Sequence, residues 1–240
     1  MRSIFSIACK DVRIYFLKGP NLTFGLLLPL VLYWAFAIDR SLELSVVIPG
    51  LIGMAILFGA GAIQGVSLPL ERRTGTLNAL LAAPVTLSMI ILGKVLAGVF
   101  FGVILSSVYY IFIIMFTSLR PIVLPFLSTC ILASLCFSCF GILLATPFQD
   151  IPQAMPPATV IRIAIVFSSN TFTPVEIMSM PSRVVAQLMP LTYAVNALRQ
   201  AVNGSISAWS FAMNLGILIL FAIVFIVIAM TILSRSRAFE

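Results

Sequence analysis

No histidine occurs anywhere in the 240 residues, and only seven residues are acidic: Asp11, Asp39, Glu43, Glu71, Asp150, Glu176 and Glu240. The first absence removes imidazole as a general base and excludes Ser/His and Cys/His nucleophile pairs. The second leaves few places where two carboxylates can converge. Charged residues of both signs make up 9% of the chain, against about 25% in a soluble globular domain. Such a composition cannot cover a water-facing surface. A GxxxxGK[ST] phosphate loop is missing too, since Gly93-Lys94 lacks the leading glycine and the trailing hydroxyl. The chain is therefore expected to be non-enzymatic, with no catalytic residue, cofactor or metal of its own.

Cysteine is scarce. Cys130, Cys136 and Cys139 fall in an apolar run, and Cys9 stands apart. Without imidazole or further thiols, the Cys136-x-x-Cys139 pair lacks the ligands of a zinc site. Small buried thiols are the expectation. The net charge of +7 comes from basic residues that flank apolar runs. That placement fits a membrane rather than nucleic acid, which would need one clustered basic face.

What is abundant is apolar: 61% of the residues are hydrophobic. A helix that crosses a bilayer needs about 20 mainly apolar residues. Six segments qualify, at 21–38, 46–68, 89–117, 123–146, 157–171 and 210–233. The runs are long and continuous, so helices are indicated rather than the alternating strands of a barrel. The expected fold is all-α and integral to the membrane, a single domain over 1–240.

Residues 1–19 read as an amphipathic helix lying at the lipid headgroups. Ile4, Phe5, Ala8, Val12, Tyr15 and Phe16 recur at helical spacing, with Arg2, Lys10, Asp11 and Arg13 placed largely elsewhere, and Gly19-Pro20 ends it. Ala35-Phe36-Ala37 resembles a signal cleavage site, but the polar leader before it is too long. With the N-terminus in the cytoplasm, Arg2, Lys10, Arg13, Lys18, Arg72, Arg73, Lys94, Arg235 and Arg237 lie inside. Arg40, Arg120, Arg183 and Arg199 lie outside. This asymmetry places both termini in the cytoplasm. Arg162, a turn and a half past Pro157, is expected to snorkel to the inner headgroups.

Residues 172–208 are too polar to cross and too apolar for a free loop. They suit short re-entrant helices dipping into the outer leaflet, where non-helical backbone must be shielded by protein or face a watery cavity. Gly61 and Gly65 form one GxxxG, and Gly98 and Gly102 another. These permit close helix packing, within one subunit or between two.

The polar stretch LERRTGTLNALLAAPVT, 70–86, interrupts two apolar runs. Glu71, Arg72 and Arg73 close the second span. Thr74 or Thr76 can cap a short helix that carries Leu77, Leu80 and Leu81 on one face, and Thr86 or Ser88 can cap the third span. Either this is an interfacial turn, or it is a cytoplasmic helix gripped by a soluble partner.

Two stretches carry a family resemblance. ERRTGTLNALLAAPVTLSMIILGKVLA resembles the E-R-x-x-G-T-L-x-x-L-x-x-x-P-V segment of ABC-2 type transporter permeases. FTPVEIMSMPSRVVAQLMPLTYAVNALRQAVNG is similar to that family's F-x-P, M-P and P-L-T-Y-x-x-x-A-L-R elements. One departure is Ser168-Ser169-Asn170-Thr171, where the family has small residues and glycine. The resemblance implies the permease subunit of an ABC exporter in the plasma or inner membrane. It implies pairing with a second copy and with separate ATPase subunits that hold ATP and magnesium. The start of the chain would be an elbow helix, and 70–88 the coupling helix. Glu71, Arg72, Arg73, Thr76, Leu77 and Leu80 would meet the ATPase. Pro190, Leu191, Thr192, Tyr193 and Arg199 would belong to an outer helix closing the exit. The short outer loops suit an amphiphilic or lipid-like cargo. A secondary carrier or a membrane scaffold is the alternative.

Overall fold

A computed structural model describes residues 2–15, 23–37, 44–76 and 86–236. The described residues are helical, with no strand among them. The first helix, α1 (Arg2–Tyr15), is followed by a π-helical turn (Thr23–Leu27) that continues as α2 (Leu28–Ala37). The long helices are α3 (Leu44–Arg73), α4 (Leu87–Phe116), α5 (Val123–Ala145), α6 (Ile151–Ser168) and α9 (Ala208–Ser236). Between the last two lie a 3-10 turn (Val175–Ile177), α7 (Met180–Gln187) and α8 (Pro190–Asn203).

Among the described residues five helices, α3, α4, α5, α6 and α9, are long and apolar enough to cross a membrane. The expected first span is described only over 23–37, as the π-turn and α2, and this stretch is not one of the five. The spans α4, α5 and α9 follow the sequence expectation closely. Two differ. At Ile151 the fifth begins well before 157, because Pro156 and Pro157 lie inside the helix instead of opening it. The second runs on past Pro69 to Arg73. The polar turn Glu71–Arg73 stays helical because neighbouring elements satisfy its charges, as described below.

The centre of the bundle is α3. It packs against α5, α4, α8, α6 and the π-turn. Its glycines admit these neighbours at close range. A methyl group at Gly50 would collide with the Thr171 carbonyl, and one at Gly53 would lie 2.8 Å from Val195 of α8. In lipid, where apolar surface gains little by leaving the solvent, such backbone approach drives helix association. At the periphery, α9 exposes Leu220, Ile223, Val224 and Val227.

Helix α1 lies along α4. Ile7 meets the face opened by Gly93, 2.9 Å from where a Cβ would stand. The stripe that packs is Ile7, Ala8 and Asp11, all buried, while Phe5 is 69% exposed. The sequence reading gave Phe5 to an apolar face lying at the lipid headgroups and placed Asp11 largely off that face; in the structure Asp11 packs inward. The helix is rotated because Asp11 has a buried cation to meet.

The 172–208 segment does form short helices. Gly204, with φ +69°, ends α8 in the left-handed conformation that glycine adopts at no cost. Most of α8 is buried against α3, α5 and α9, whereas α7 is largely exposed.

Candidate functional site

At the end of α3, three consecutive residues turn to different neighbours, as roughly 100° of rotation per residue requires. Glu71 points inward and is 2% exposed. Its Oε2 lies 2.8 Å from Lys94 Nζ of α4, and its Oε1 pairs with Lys10 of α1. Lys94 Nζ also lies 3.1 Å from Asp11 Oδ2, and Lys10 Nζ 3.3 Å from Asp11 Oδ1. Two cations and two anions thus close a neutral quartet across α1, α3 and α4. The Asp11, Glu71 and Lys94 side chains are buried, and only Lys10 reaches solvent. Burial alone would lower the Lys10 pKa, but the hydrogen bond to Glu71 and the charges of Asp11 and Glu71 outweigh it, and the net shift is upward.

The quartet continues inward through hydroxyl and amide groups. Lys94 Nζ donates to Ser67 Oγ at 3.3 Å, and Ser67 Oγ to Gln64 Oε1 at 3.4 Å. Gln64 Nε2 donates to the Lys94 carbonyl at 2.5 Å. Ser138 of α5 joins by accepting from Gln64 Nε2 at 3.3 Å, and its Oγ donates to the Val95 carbonyl at 3.2 Å. Such satisfaction is what makes a buried ionic group tolerable, because unpaired charge in a low-dielectric interior costs several kcal/mol.

Arg72 faces the other way. Its Nη1 donates to the carbonyls of Thr146, at 2.6 Å, and Phe148, at 2.8 Å. These follow the C-terminus of α5, where carbonyls lack helical partners and the dipole favours a cation. Arg73 Nε lies 3.5 Å from Asp150 Oδ1, and both side chains are solvent-accessible. The end of α3 is therefore held between α1 and α4 on one side and the α5–α6 connection on the other.

Of the residues expected to meet the ATPase, Arg73 and Thr76 are exposed, Arg72 is half-buried and Glu71 is inside the quartet. Leu77 and Leu80, with the rest of the expected coupling helix over 77–85, lie outside the described residues. After α3 the chain turns at Gly75, φ +68°, with Thr74 Oγ1 donating to the Leu70 carbonyl. Thr86 caps α4 by accepting from Met89 N at 3.4 Å.

Asp11, Gln64 and Lys94 were missed as a unit by sequence reasoning. A signal did exist. Asp11 continues the Ile4, Ile7, Ala8 stripe at helical spacing, and Lys94 is the lone charge in the 89–117 run.

The outer residues are brought together on α8. Pro190, Leu191 and Thr192 are buried. Thr192 Oγ1 donates to the Ala186 carbonyl at 2.6 Å, and Tyr193 OH to the Gln187 carbonyl at 2.7 Å. Arg199 Nη2 donates to the Asn170 carbonyl at 2.6 Å, while Asn170 Nδ2 donates to Asn196 Oδ1 at 2.6 Å. The Ser169 and Thr171 hydroxyls stand 2.7 Å apart. The stretch that departs from the family pattern is thus a hydroxyl-linked turn fastened to α8.

The four glycines pack within this subunit. Methyl groups at Gly98 and Gly102 would collide with Ser138 and Ser134 of α5, and one at Gly61 would lie 3.2 Å from the Phe137 carbonyl. Gly65 faces the Arg162 guanidinium. Arg162 does not reach the headgroups, contrary to the expectation of snorkelling. It is 3% exposed, and its Nη2 donates to the Gly61 carbonyl at 2.9 Å. The glycine gap on α3 draws the side chain sideways into the bundle.

The cysteines are free thiols, with Cys130, Cys136 and Cys139 buried and Cys9 exposed. Among the described residues no group of histidine, cysteine and acidic side chains could hold a metal.

Residues 12–203 match the family described as ABC-2 type transporter. The chain is also 30% identical over 173 residues to the "Putative transport permease ycf38" of Cyanophora paradoxa. That alignment covers 68% of this chain and 58% of the relative, so the chain spans less than two-thirds of the relative's length. The family match starts just after Asp11 and takes in Glu71 and Lys94 of the quartet, the Arg72 junction and α8. With several helices long and apolar enough to cross a membrane among its described residues, the chain is a multi-pass membrane protein, and it belongs to the ABC-2 type transporter family.

Proposed function

We propose that this chain is the permease subunit of an ATP-driven exporter. Its cargo is amphiphilic or lipid-like, and its energy comes from a separate ABC ATPase. A second copy of the chain completes the pathway. In this reading residues 21–38 supply a sixth span, α1 is an elbow helix on the cytoplasmic membrane surface, and both termini face the cytoplasm of a plasma or inner membrane. Residues 172–208 dip into the outer leaflet. The segment 70–88 takes up the motion of the ATPase.

The observation that carries this reading is the fastening of Glu71, Arg72 and Arg73 to two other helices and the α5–α6 connection. A push on the segment that follows Arg73 would move α1, α4 and the α5–α6 connection together. Rigid helices would then carry the displacement toward α8. ATP binding can bias such a change only through unequal affinity for the two arrangements. Catalysis and nucleotide stay on the partner, which agrees with the lack of a phosphate loop here.

The test is co-purification and reconstitution. Tagged permease should retain an ABC ATPase, and the pair in liposomes should export an amphiphile when ATP is present. Permease that never retains an ATPase, yet moves cargo down an ion gradient, would establish the secondary carrier instead.

A further inference from the structure

Arg162 is a cation buried between α6 and α3. Gly61, whose carbonyl it binds, lies 12 residues before Arg73 in α3. At 1.5 Å per residue that is about 18 Å along the axis, near the middle of a hydrocarbon layer roughly 30 Å thick. Its Nε is buried with no hydrogen-bond partner. Among the described residues no carboxylate pairs with it. Asp11 and Glu71 are committed to Lys10 and Lys94, and Asp150 to Arg73. The sequence of the two helices that enclose it holds no acid between Leu44 and Leu70 or between Ile151 and Ser168. The described residues therefore supply no counter-charge for Arg162.

We propose that Arg162 receives the acidic headgroup, a carboxylate or phosphate, of an amphiphile that enters between α6 and α3. An ionised guanidinium at this depth is costly unless paired, and its planar fork suits an oxyanion with two oxygens. Gly61 and Gly65 provide the side-chain-free wall against which the fork lies. Entry follows from the packing of α6. Val160, Ile161, Ile163 and Phe167 around Arg162 are exposed, and an apolar tail can lie along them. Pro156 and Pro157 remove two backbone donors from α6 and weaken its cytoplasmic half, so the helix can part from α3 there. Displacement of the Gly61 carbonyl frees Nη2 beside the unpartnered Nε. The permease reading above is needed only to make the bound amphiphile cargo rather than a resident bilayer lipid.

Two measurements test this. The first uses permease alone in dodecyl maltoside, with dodecyl phosphate and dodecyltrimethylammonium as chain-matched probes, read by native mass spectrometry and thermal melting. Dodecyl phosphate should bind at least about tenfold more tightly, as a charge-assisted pair implies. Arg162→Gln should abolish that preference, and Arg162→Lys should keep it with several-fold weaker binding. The site is refuted by a folded Gln variant that binds dodecyl phosphate as well as the parent. If the Gln variant does not fold, a Lys variant without preference refutes it equally. The second adds the ATPase in phosphatidylcholine liposomes. ATP-driven movement of dodecyl phosphate makes it cargo. Arg162-dependent binding without movement keeps the site, assigns it to a lipid and removes the exporter reading. ATP-driven movement of other amphiphiles, with no Arg162-dependent binding, removes the site and keeps the exporter.

Discussion

Lys94 Nζ lies 3.1 Å from Asp11 Oδ2, although 83 residues separate them. Both side chains are buried. The contact fastens helix α1 to helix α4, and Glu71 makes the same lysine an anchor for α3. Removing Lys94 leaves the buried Asp11 and Glu71 to share one cation, Lys10. Lys94→Met should therefore destabilise the protein by about 3–5 kcal/mol, read as a lowered melting temperature in detergent. A triple replacement of Asp11, Glu71 and Lys94 by apolar residues of similar size should recover most of that loss. It should still reduce cargo moved per ATP hydrolysed, because the joint no longer transmits direction. Restored stability with full coupling would contradict the role of the quartet in transmission.

Arg72 closes the other side of the joint. Arg72→Ala leaves the Thr146 and Phe148 carbonyls without this donor, and hydrogen bonds from a charged donor contribute about 1.5–3 kcal/mol. The half-exposed setting allows water to replace part of it. Stability should fall by only about 1 kcal/mol, whereas transport in the reconstituted complex should fall well beyond the loss in ATP hydrolysis. Equal losses in both would show that Arg72 serves folding only.

The glycine seams give a packing prediction. Gly141→Ala would drive a methyl group into the Gly61 backbone, and Gly98→Val would press on Ser138 and the Ala60 carbonyl. Rigid backbone cannot yield as a side chain end does. Each change should cost about 1–3 kcal/mol, visible as a lower melting temperature. Gly216→Ala meets nothing within 4 Å and should leave the melt unchanged.

Lys10 sets the alkaline limit of the joint. Its folded pKa is raised above the ordinary 10.5. A raised value in a cationic group means that the folded state binds the proton more tightly. The stabilisation is complete below the unfolded pKa and is lost as pH rises through the folded one. Melting temperature should thus hold through neutral pH and drop above about 10.5 more steeply in the parent than in Lys10→Met. Parallel curves for the two would remove Lys10 from the linkage.

Orientation can be read at Thr76, which is exposed just past the end of α3. In a Thr76→Cys variant carrying Cys9→Ser, an impermeant maleimide should label only after the cytoplasmic side is opened. The Cys9 change is needed because that thiol is exposed as well. Labelling from the intact exterior would reverse the whole topology.

Much of this was legible from local pattern alone. The spans α4, α5 and α9 were readable because lipid imposes a length and an apolarity that show in any window of the right size. The short helices after α6 were signalled by Pro190 at the start of α8 and Gly204 at its end, as chain stiffness and left-handed tolerance dictate. The extension of α3 through Pro69 was hidden, since the charges that keep Glu71–Arg73 helical are answered by residues far away in sequence.

The sequence by itself determined that this is a helical membrane protein, because composition decides which solvent a chain can face. Only the tertiary structure decided that Asp11 meets Lys94, that Arg72 caps α5 and that Arg162 turns into the bundle. Those outcomes depend on which helices lie side by side and in what rotation. A periodicity fixes one face of one helix, but a buried charge selects its partner among all the faces that packing brings within reach.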